Sequence, residues 1–190
     1  MFIKVPAAAR LFKEAYKGVG LRIANTGHGL VLTGRGWRMF VFEENLPKEL
    51  KGEIIKLTGF IPNQGEQSIT NKDGTQMELY LADPSLDVYA RAMEARADGK
   101  SLWYTDIIIT DERPYRVYRT ADNIHVIPEA IKEMINIGCS DEDEEMYGAF
   151  EGLGSWLYWI SSHMAFGWPA FTANDEVKGR ALRLNEAGIF

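Results

Sequence analysis

The sequence lacks most of the features that assign a protein to a compartment. Cysteine occurs once, at Cys139, which excludes an internal disulfide and favours a reducing compartment. The N-terminal residues contain no apolar run long enough for a signal sequence. Residues 152–174 carry no Asp, Glu, Lys or Arg, but glycine, serine and proline dilute them too much for a membrane span, and we predict a buried core helix there. The sequence thus predicts a cytoplasmic protein without membrane contact.

Catalytic and metal-binding motifs are also missing. There is no G-x-S-x-G elbow, and the acidic residues beside Cys139 disfavour a reactive thiolate there. The glycine pairs around His28 and Arg35 match no phosphate-binding loop, and we interpret them as hairpin turns. The three histidines are far apart in the sequence, at His28, His125 and His163. These observations favour a protein that is not an enzyme and that uses no metal and no cofactor.

Charge is present but unevenly distributed. Residues 1–42 contain seven Lys or Arg and one acid, whereas residues 121–177 contain one basic residue and eleven acids. Chains with oppositely charged ends either neutralise themselves internally or present different faces to partners. The net charge of -6 disfavours a protein that coats nucleic acid, although a local basic face remains compatible with it.

Hydrophobic periodicity predicts a single α+β domain over residues 1–190, with 46% apolar residues to build its core. The first 120 residues are predicted to be mainly sheet with two helices, which cover residues 6–17 and follow Asp83-Pro84-Ser85. A hairpin is predicted at 103–110 and 115–120, with Asp106 paired to Arg119. The other predicted strands are 21–24, 29–32, 37–42, 53–61 and 77–81, with a turn-rich stretch over 62–74.

The last 70 residues are predicted to be mainly helical and acidic. One helix starts at Pro128, and a short final helix covers residues 175–184. Between them we predict a long helix that Ser140 caps, with an apolar seam from Met146 to Met164. The predicted fold is therefore an antiparallel sheet with helices packed on one face and a Trp-rich C-terminal helix.

The acidic run and the tryptophans that follow it predict a surface that binds a partner protein or a second copy of the chain. Acids attract a basic partner, and tryptophan is enriched where binding energy concentrates. The alternative is that the acids complement a helix dipole and the tryptophans fill the core. The predicted partner-binding residues are Asp141, Glu142, Asp143, Glu144, Glu145, Trp156, Trp159 and Trp168.

Two other functions stay open from the sequence. Basic residues interleaved with tyrosine are typical of nucleic-acid contact, although a half-buried strand explains the same pattern. An enzyme acting on nucleotides or nucleic acid, with a site scattered in the sequence and including His28, is the other alternative. The residues predicted to contact an anion or nucleic acid are Arg22, Arg35, Arg38, Arg116 and Arg119. The preferred hypothesis is a small non-enzymatic regulatory protein that acts through protein contact, and by analogy an inhibitor from a mobile genetic element.

Overall fold

The computed structural model describes residues 2–80, 87–121, 123–135, 145–170 and 174–189. Within these ranges the fold has five helices and eleven strands, and every strand pairing is antiparallel, which confirms the predicted α+β class. The helices are α1 (Val5–Lys17), α2 (Lys48–Thr58), α3 (Val88–Ala97), α4 (Glu129–Met134) and α5 (Asp175–Glu186). None of the helices in these ranges is long and apolar enough to span a bilayer.

The strands form one large and one small sheet. The large sheet has the order β5-β4-β1-β2-β3-β11-β10-β9, and the small sheet has the order β6-β7-β8. The first five strands are β1 (Leu21–Asn25), β2 (Gly29–Gly34), β3 (Trp37–Phe42), β4 (Glu66–Asn71) and β5 (Gly74–Leu79). The others are β6 (Trp103–Thr110), β7 (Pro114–Arg119), β8 (Ile124–Pro128), β9 (Tyr147–Gly152), β10 (Trp156–Ile160) and β11 (Met164–Pro169).

Helices cover both faces of the large sheet. α1 and α2 pack against one face, where Leu21, Ile23, Leu32 and Met39 are fully buried with Phe12 of α1. α3 packs against β3, β9, β10 and β11 on the other face, where Phe40, Tyr158 and Ala165 join its buried alanines. The sequence pattern predicted a helical cover on only one face. We call the face under α3 the inner face.

The prediction of a long Trp-rich helix after Ser140 is wrong for the described residues of this segment, which begin at Glu145. These residues form β9, β10 and β11, and the C-terminal helix is α5, which contains no tryptophan. Leu157 and Trp159 point to one face of the large sheet while Tyr158 and Ile160 point to the other. A strand buried on both faces has a continuous apolar run, and such a run matches helical spacing by coincidence.

The strand predicted over residues 53–61 is also wrong, because residues 53–58 belong to α2 and the chain leaves the helix at Gly59. Leu50, Ile54 and Thr58 are buried at four-residue spacing, and Gly59 ends the helix in the left-handed conformation at a φ of 84°. Conversely, β4 lies inside the stretch over residues 62–74 that we predicted to be rich in turns. Its buried side chains include the polar Ser68 and Thr70, which weakens the apolar alternation.

Most other predicted elements are confirmed with small shifts. The predicted helix start at Asp83-Pro84-Ser85 lies outside the described residues, and Asp87 caps α3 by accepting a hydrogen bond from the Ala90 amide at 3.0 Å. The hairpin of β6 and β7 is present, but its register differs from the predicted one. Arg119 lies opposite Trp103 rather than Asp106, because Thr110 already pairs with Pro114 at the turn and the pairing is irregular between Tyr104 and Ile108.

Candidate functional site on the large sheet

Two arginines and a threonine form a row across the inner face. Arg22 on β1 lies opposite Thr33 on β2, and Thr33 in turn lies opposite Arg38 on β3. Residues directly opposite in adjacent antiparallel strands point to the same face, so the two arginines flank the shorter threonine. Their backbones are two strand spacings apart, which is roughly 10 Å. We call these three residues the arginine row.

Arg38 contacts the ring of Trp156, which itself stacks on a second aromatic ring. Its guanidinium carbon lies 4.5 Å from the centroid of the Trp156 ring, a cation–π contact. The Trp156 ring stacks on Tyr158 with centroids 6.4 Å apart and an interplanar angle of 24°. Burial raises the pKa of the Tyr158 phenol, and the positive charges of Arg38 and Arg91 partly oppose that shift. The row therefore continues into an aromatic stack.

Gly167 makes room for this stack. It lies on β11 directly opposite Arg38 and next to the rings from β10. A β-carbon at this position would come within 3.0 Å of the Tyr158 ring and 3.3 Å of the Trp156 ring. Because such contacts are tighter than most side chains make, a larger residue at this position would displace the two rings by a few tenths of an ångström.

The arginine row opens into a cleft of about 360 Å³. Its floor is apolar, since it includes Ala24 and Val31, which are 2% and 7% exposed. Gln67 lies at its side and is held there because its amide donates to Glu78 Oε2 at 2.8 Å. The cleft thus combines cationic groups with an apolar floor, which is the composition of a site for an amphipathic ligand.

A second, aromatic cleft of about 310 Å³ adjoins the first and shares Val31 and Tyr80 with it. Its wall is a cluster of Phe40, Phe42 and Tyr89. The Phe40 and Phe42 rings meet edge to face with centroids 4.9 Å apart, and Tyr89 lies 5.5 Å from Phe40. The inner face therefore presents a polar cleft beside an apolar one.

Arg22 has no acidic partner in the described part of the chain: no carboxylate oxygen there lies within 4.0 Å of its guanidinium. Arg22 is half-buried, so its charge is only partly hydrated. A half-buried guanidinium without a counter-charge presents its planar array of donors to whatever enters the cleft.

The other predicted anion-contacting arginines do not join this row. Arg116 is 7% exposed and forms a two-point ion pair with Glu129, at 2.6 Å and 2.7 Å. Arg119 lies at the end of β7 on the small sheet. Arg35 is exposed in the turn between β2 and β3 and lines a separate cleft with Trp168 and Arg113. The structure therefore brings Arg22 and Arg38 together and separates the remaining three.

The predicted partner-binding residues are also distributed over different places. Asp141, Glu142, Asp143 and Glu144 lie outside the described residues. Glu145 is exposed and accepts a hydrogen bond from the Tyr147 hydroxyl. Trp156 belongs to the inner face, whereas Trp159 and Trp168 lie on the opposite face of the sheet, where Trp159 is 4% exposed. Only Trp156 of these residues lines the cleft of the arginine row.

The histidines do not assemble a reactive site. His28 is exposed in the turn between β1 and β2, as predicted, and His163 lies in the turn between β10 and β11. His125 Nε2 lies 3.4 Å from Glu151 Oε2, but both side chains are largely buried and have little access to a substrate. Within the described ranges no three His, Cys, Asp or Glu residues are grouped so that they could hold a metal ion.

Thr33, Val31 and Gly167 were not predicted from the sequence as parts of this site. The sequence did contain a signal for Thr33. The two-residue turn at Arg35-Gly36 fixes the register of β2 and β3, and the pairs of opposite residues can be counted from that turn. Arg38 then falls opposite Thr33. No comparable signal placed Trp156 beside Arg38, since the two lie far apart in the sequence.

Known proteins offer only distant likenesses to this chain. No protein-family model matches the sequence, and no curated protein is similar to it. Among solved structures, the chain is similar to the DNA polymerase III beta chain of Streptococcus pneumoniae, with a TM-score of 0.35 and 13% identity. It is also similar to the DNA polymerase beta subunit of Streptococcus pyogenes, with a TM-score of 0.34 and 14% identity. The matches cover 90% of this chain and 63% and 62% of those chains, and the scores are too low to carry an argument.

Proposed function

We propose that this chain is a non-enzymatic binding protein that recognises an acidic segment of a partner protein in the cleft of the arginine row. The observation that carries this proposal is Arg22, a half-buried guanidinium that faces the cleft with no carboxylate within 4.0 Å among the described residues. The single cysteine supports the additional proposal that the protein works in the cytoplasm.

The chemistry of the cleft favours a carboxylate ligand. A guanidinium binds a carboxylate through two parallel hydrogen bonds, and this contact strengthens where water is partly excluded. Arg22 faces the cleft, and Arg38 adds a second positive charge two strands away on the same face. The stack on Trp156 holds Arg38 in place before the ligand arrives, which lowers the entropy lost on binding.

The surroundings favour a protein segment over nucleic acid. The neighbouring aromatic cleft offers a place for a large apolar side chain next to the acidic ones. The Trp156 ring already contacts Arg38 and Tyr158 and is poorly placed to stack on a base. With Arg116 paired internally and Arg35 in another cleft, the described arginines do not form a continuous track for phosphates.

The proposal is tested by selecting binders from a displayed library of random peptides. We expect wild-type protein to enrich peptides that carry an acidic residue next to a large apolar residue. The Arg22→Glu variant should bind these peptides at least about 100-fold more weakly than wild type, because it replaces an attraction with a like-charge repulsion. Arg35→Glu makes the same charge change on an exposed turn outside the cleft and should retain them.

Selection of peptides without acidic residues, or equal losses in Arg22→Glu and Arg35→Glu, would contradict the proposal. Binding of single-stranded DNA or RNA should be measured in parallel over a series of salt concentrations. If nucleic acid bound more tightly than the selected peptides and Arg22→Glu abolished that binding, the cleft would be a nucleic-acid site instead.

A further inference from the structure

The second feature of interest is β5, which forms one edge of the large sheet. It pairs with β4 on one side, and nothing in the described ranges pairs with its other side. The opposite edge of the sheet is different, because β9 receives backbone hydrogen bonds from the Leu102 amide and donates from the Glu151 amide to Lys100. Only the β5 edge therefore leaves a row of backbone groups open within the described part of the sheet.

The direction of each backbone group on β5 follows from its hairpin. Asn71 lies opposite Gly74 across the two-residue turn of Lys72-Asp73, and the Tyr80 amide donates to the Gly65 carbonyl at 2.9 Å. In an antiparallel ladder, hydrogen-bonded pairs alternate with pairs that are not hydrogen-bonded. The amides and carbonyls of Gly74, Gln76 and Glu78 therefore point to β4. Those of Thr75, Met77 and Leu79 point outward.

This edge carries none of the usual protection against pairing with another chain. It contains no proline, no lysine and no bulge, and Met77 and Leu79 are 46% and 75% exposed. Its single charge, on Glu78, is already engaged, because Gln67 and Gln76 each donate to one of its oxygens at 2.8 Å. An unprotected edge with exposed apolar side chains is typical of an interface.

We propose that β5 pairs antiparallel with β5 of a second copy of this chain, with Met77 opposite Met77. In this register the outward-pointing groups of Thr75, Met77 and Leu79 meet those of the second copy and complete their hydrogen bonds. Gln76 then lies opposite Glu78 of the second copy, so an amide donor faces a carboxylate at the closer type of antiparallel pair. The large sheet continues across the symmetry axis.

The neighbouring registers are less favourable. A shift that places Met77 opposite Leu79 also places Glu78 opposite Glu78, which sets two like charges face to face. The shift in the other direction places Leu79 opposite Asp73 in the turn, where the strand has ended. The register centred on Met77 therefore uses the whole edge and opposes no like charges.

The proposal is tested by measuring the mass of the purified protein in solution over a wide range of concentrations. We expect wild type to have twice the mass of one chain at high concentration. Met77→Pro removes an outward amide and leaves the β4 ladder intact, so it should raise the dissociation constant of the dimer at least about tenfold. Gln76→Glu should also weaken the dimer, whereas Gln76→Lys should strengthen it, since each faces Glu78 of the second copy.

Leu182→Lys is the matched control, since it places a charge on a 53% exposed residue of α5, and it should not change the dissociation constant. A wild-type protein that stays monomeric up to its solubility limit would overturn the proposal. So would a dimer that is unaffected by Met77→Pro and by both Gln76 variants. If Met77→Pro fails to fold, the opposite effects of the two exposed Gln76 substitutions still decide the question.

Discussion

On the small sheet, the guanidinium of Arg116 is enclosed by protein, whereas on the large sheet Arg22 faces a cleft. Arg116 donates to both oxygens of Glu129 and to the Thr105 carbonyl at 2.8 Å, and its carbon lies 5.7 Å from the Tyr104 ring. Glu129 raises the pKa of the Arg116 guanidinium further by hydrogen bonding. Arg22 has no such partner among the described residues.

The difference shows that an arginine on a strand beside aromatic residues has two distinct uses. A buried guanidinium must be paired, because the cost of removing its charge from water is large. A half-buried one at a cleft keeps part of its hydration, and we propose that Arg22 exchanges that water for a ligand. The counter-charge within the chain, rather than the local sequence around the arginine, separates the structural Arg116 from the Arg22 that we propose to bind a ligand.

The largest expected effect comes from breaking the buried ion pair of Arg116 with Glu129. Arg116→Ala should lower the free energy of unfolding by about 3 kcal/mol, because it leaves the Glu129 carboxylate uncompensated with only 13% of its side chain exposed. Urea unfolding measures this change directly. Replacing both partners, with Arg116→Met and Glu129→Leu, should recover most of the loss, since no uncompensated charge then remains.

Arg22→Ala is the control for that comparison. Its effect on stability should lie within about 0.5 kcal/mol of wild type, because it removes no internal ion pair in the described part of the chain. A loss of stability for Arg22→Ala that equals the loss for Arg116→Ala would erase the distinction between the two arginines and weaken the assignment of the cleft.

A smaller effect is expected at Gly167, beneath the aromatic stack on the large sheet. Gly167→Ala should cost about 1 to 3 kcal/mol, because the new methyl group would lie 3.0 Å from the Tyr158 ring. The displaced rings should also change the tryptophan fluorescence of the folded protein and weaken peptide binding through Arg38. Urea unfolding and the binding assay together measure both consequences.

The same methyl group added at Gly52 provides the matched control. Nothing lies within 4 Å of a β-carbon built there, and Gly52 is inside α2, so Gly52→Ala should stabilise the protein by up to about 1 kcal/mol. If both glycine variants behaved alike, the packing around Gly167 would not be what positions the stack.

Local patterns in the sequence were sufficient for much of this fold. Turn residues and short apolar runs located β1, β2 and β3. The helix of residues 6–17 was identified by its apolar face and by the glycine at its end. In each case the residues that specify the element are close together in the sequence.

The elements and contacts that were not predicted depend on residues that are far apart in the sequence. β10 is apolar on both sides because α3 covers one face of the sheet and the main core covers the other, and neither cover is visible in residues 156–160. The arginine row depends on pairing between three strands, and Trp156 reaches Arg38 only because β11 lies between β3 and β10. Contacts of this kind follow from topology, which a single sequence specifies weakly.

The smallest expected effect concerns the stability of the protein at alkaline pH. It compares the buried phenol of Tyr118 on the small sheet with that of Tyr158 on the large sheet. Burial raises the pKa of Tyr118 and of Tyr158. At Tyr118 the charge of Glu129 adds to the shift and that of Arg116 opposes it, whereas at Tyr158 the charges of Arg38 and Arg91 oppose the shift and that of Glu94 adds to it. In the unfolded chain both phenols ionise near a pH of about 10. Above that pH the unfolded state binds fewer protons than the folded state, so stability falls as pH rises.

Replacing either tyrosine by phenylalanine removes the contribution of its phenol to this loss of stability at alkaline pH. Tyr118→Phe should therefore flatten the dependence of unfolding free energy on pH more than Tyr158→Phe does, because the effect of Glu129 exceeds that of Arg116 at Tyr118, whereas two guanidiniums assist ionisation at Tyr158. Urea unfolding at a series of alkaline pH values measures both slopes. Equal flattening in the two variants would mean that burial alone controls both phenols, and that the charged groups around the two sheets do not differ in their effect.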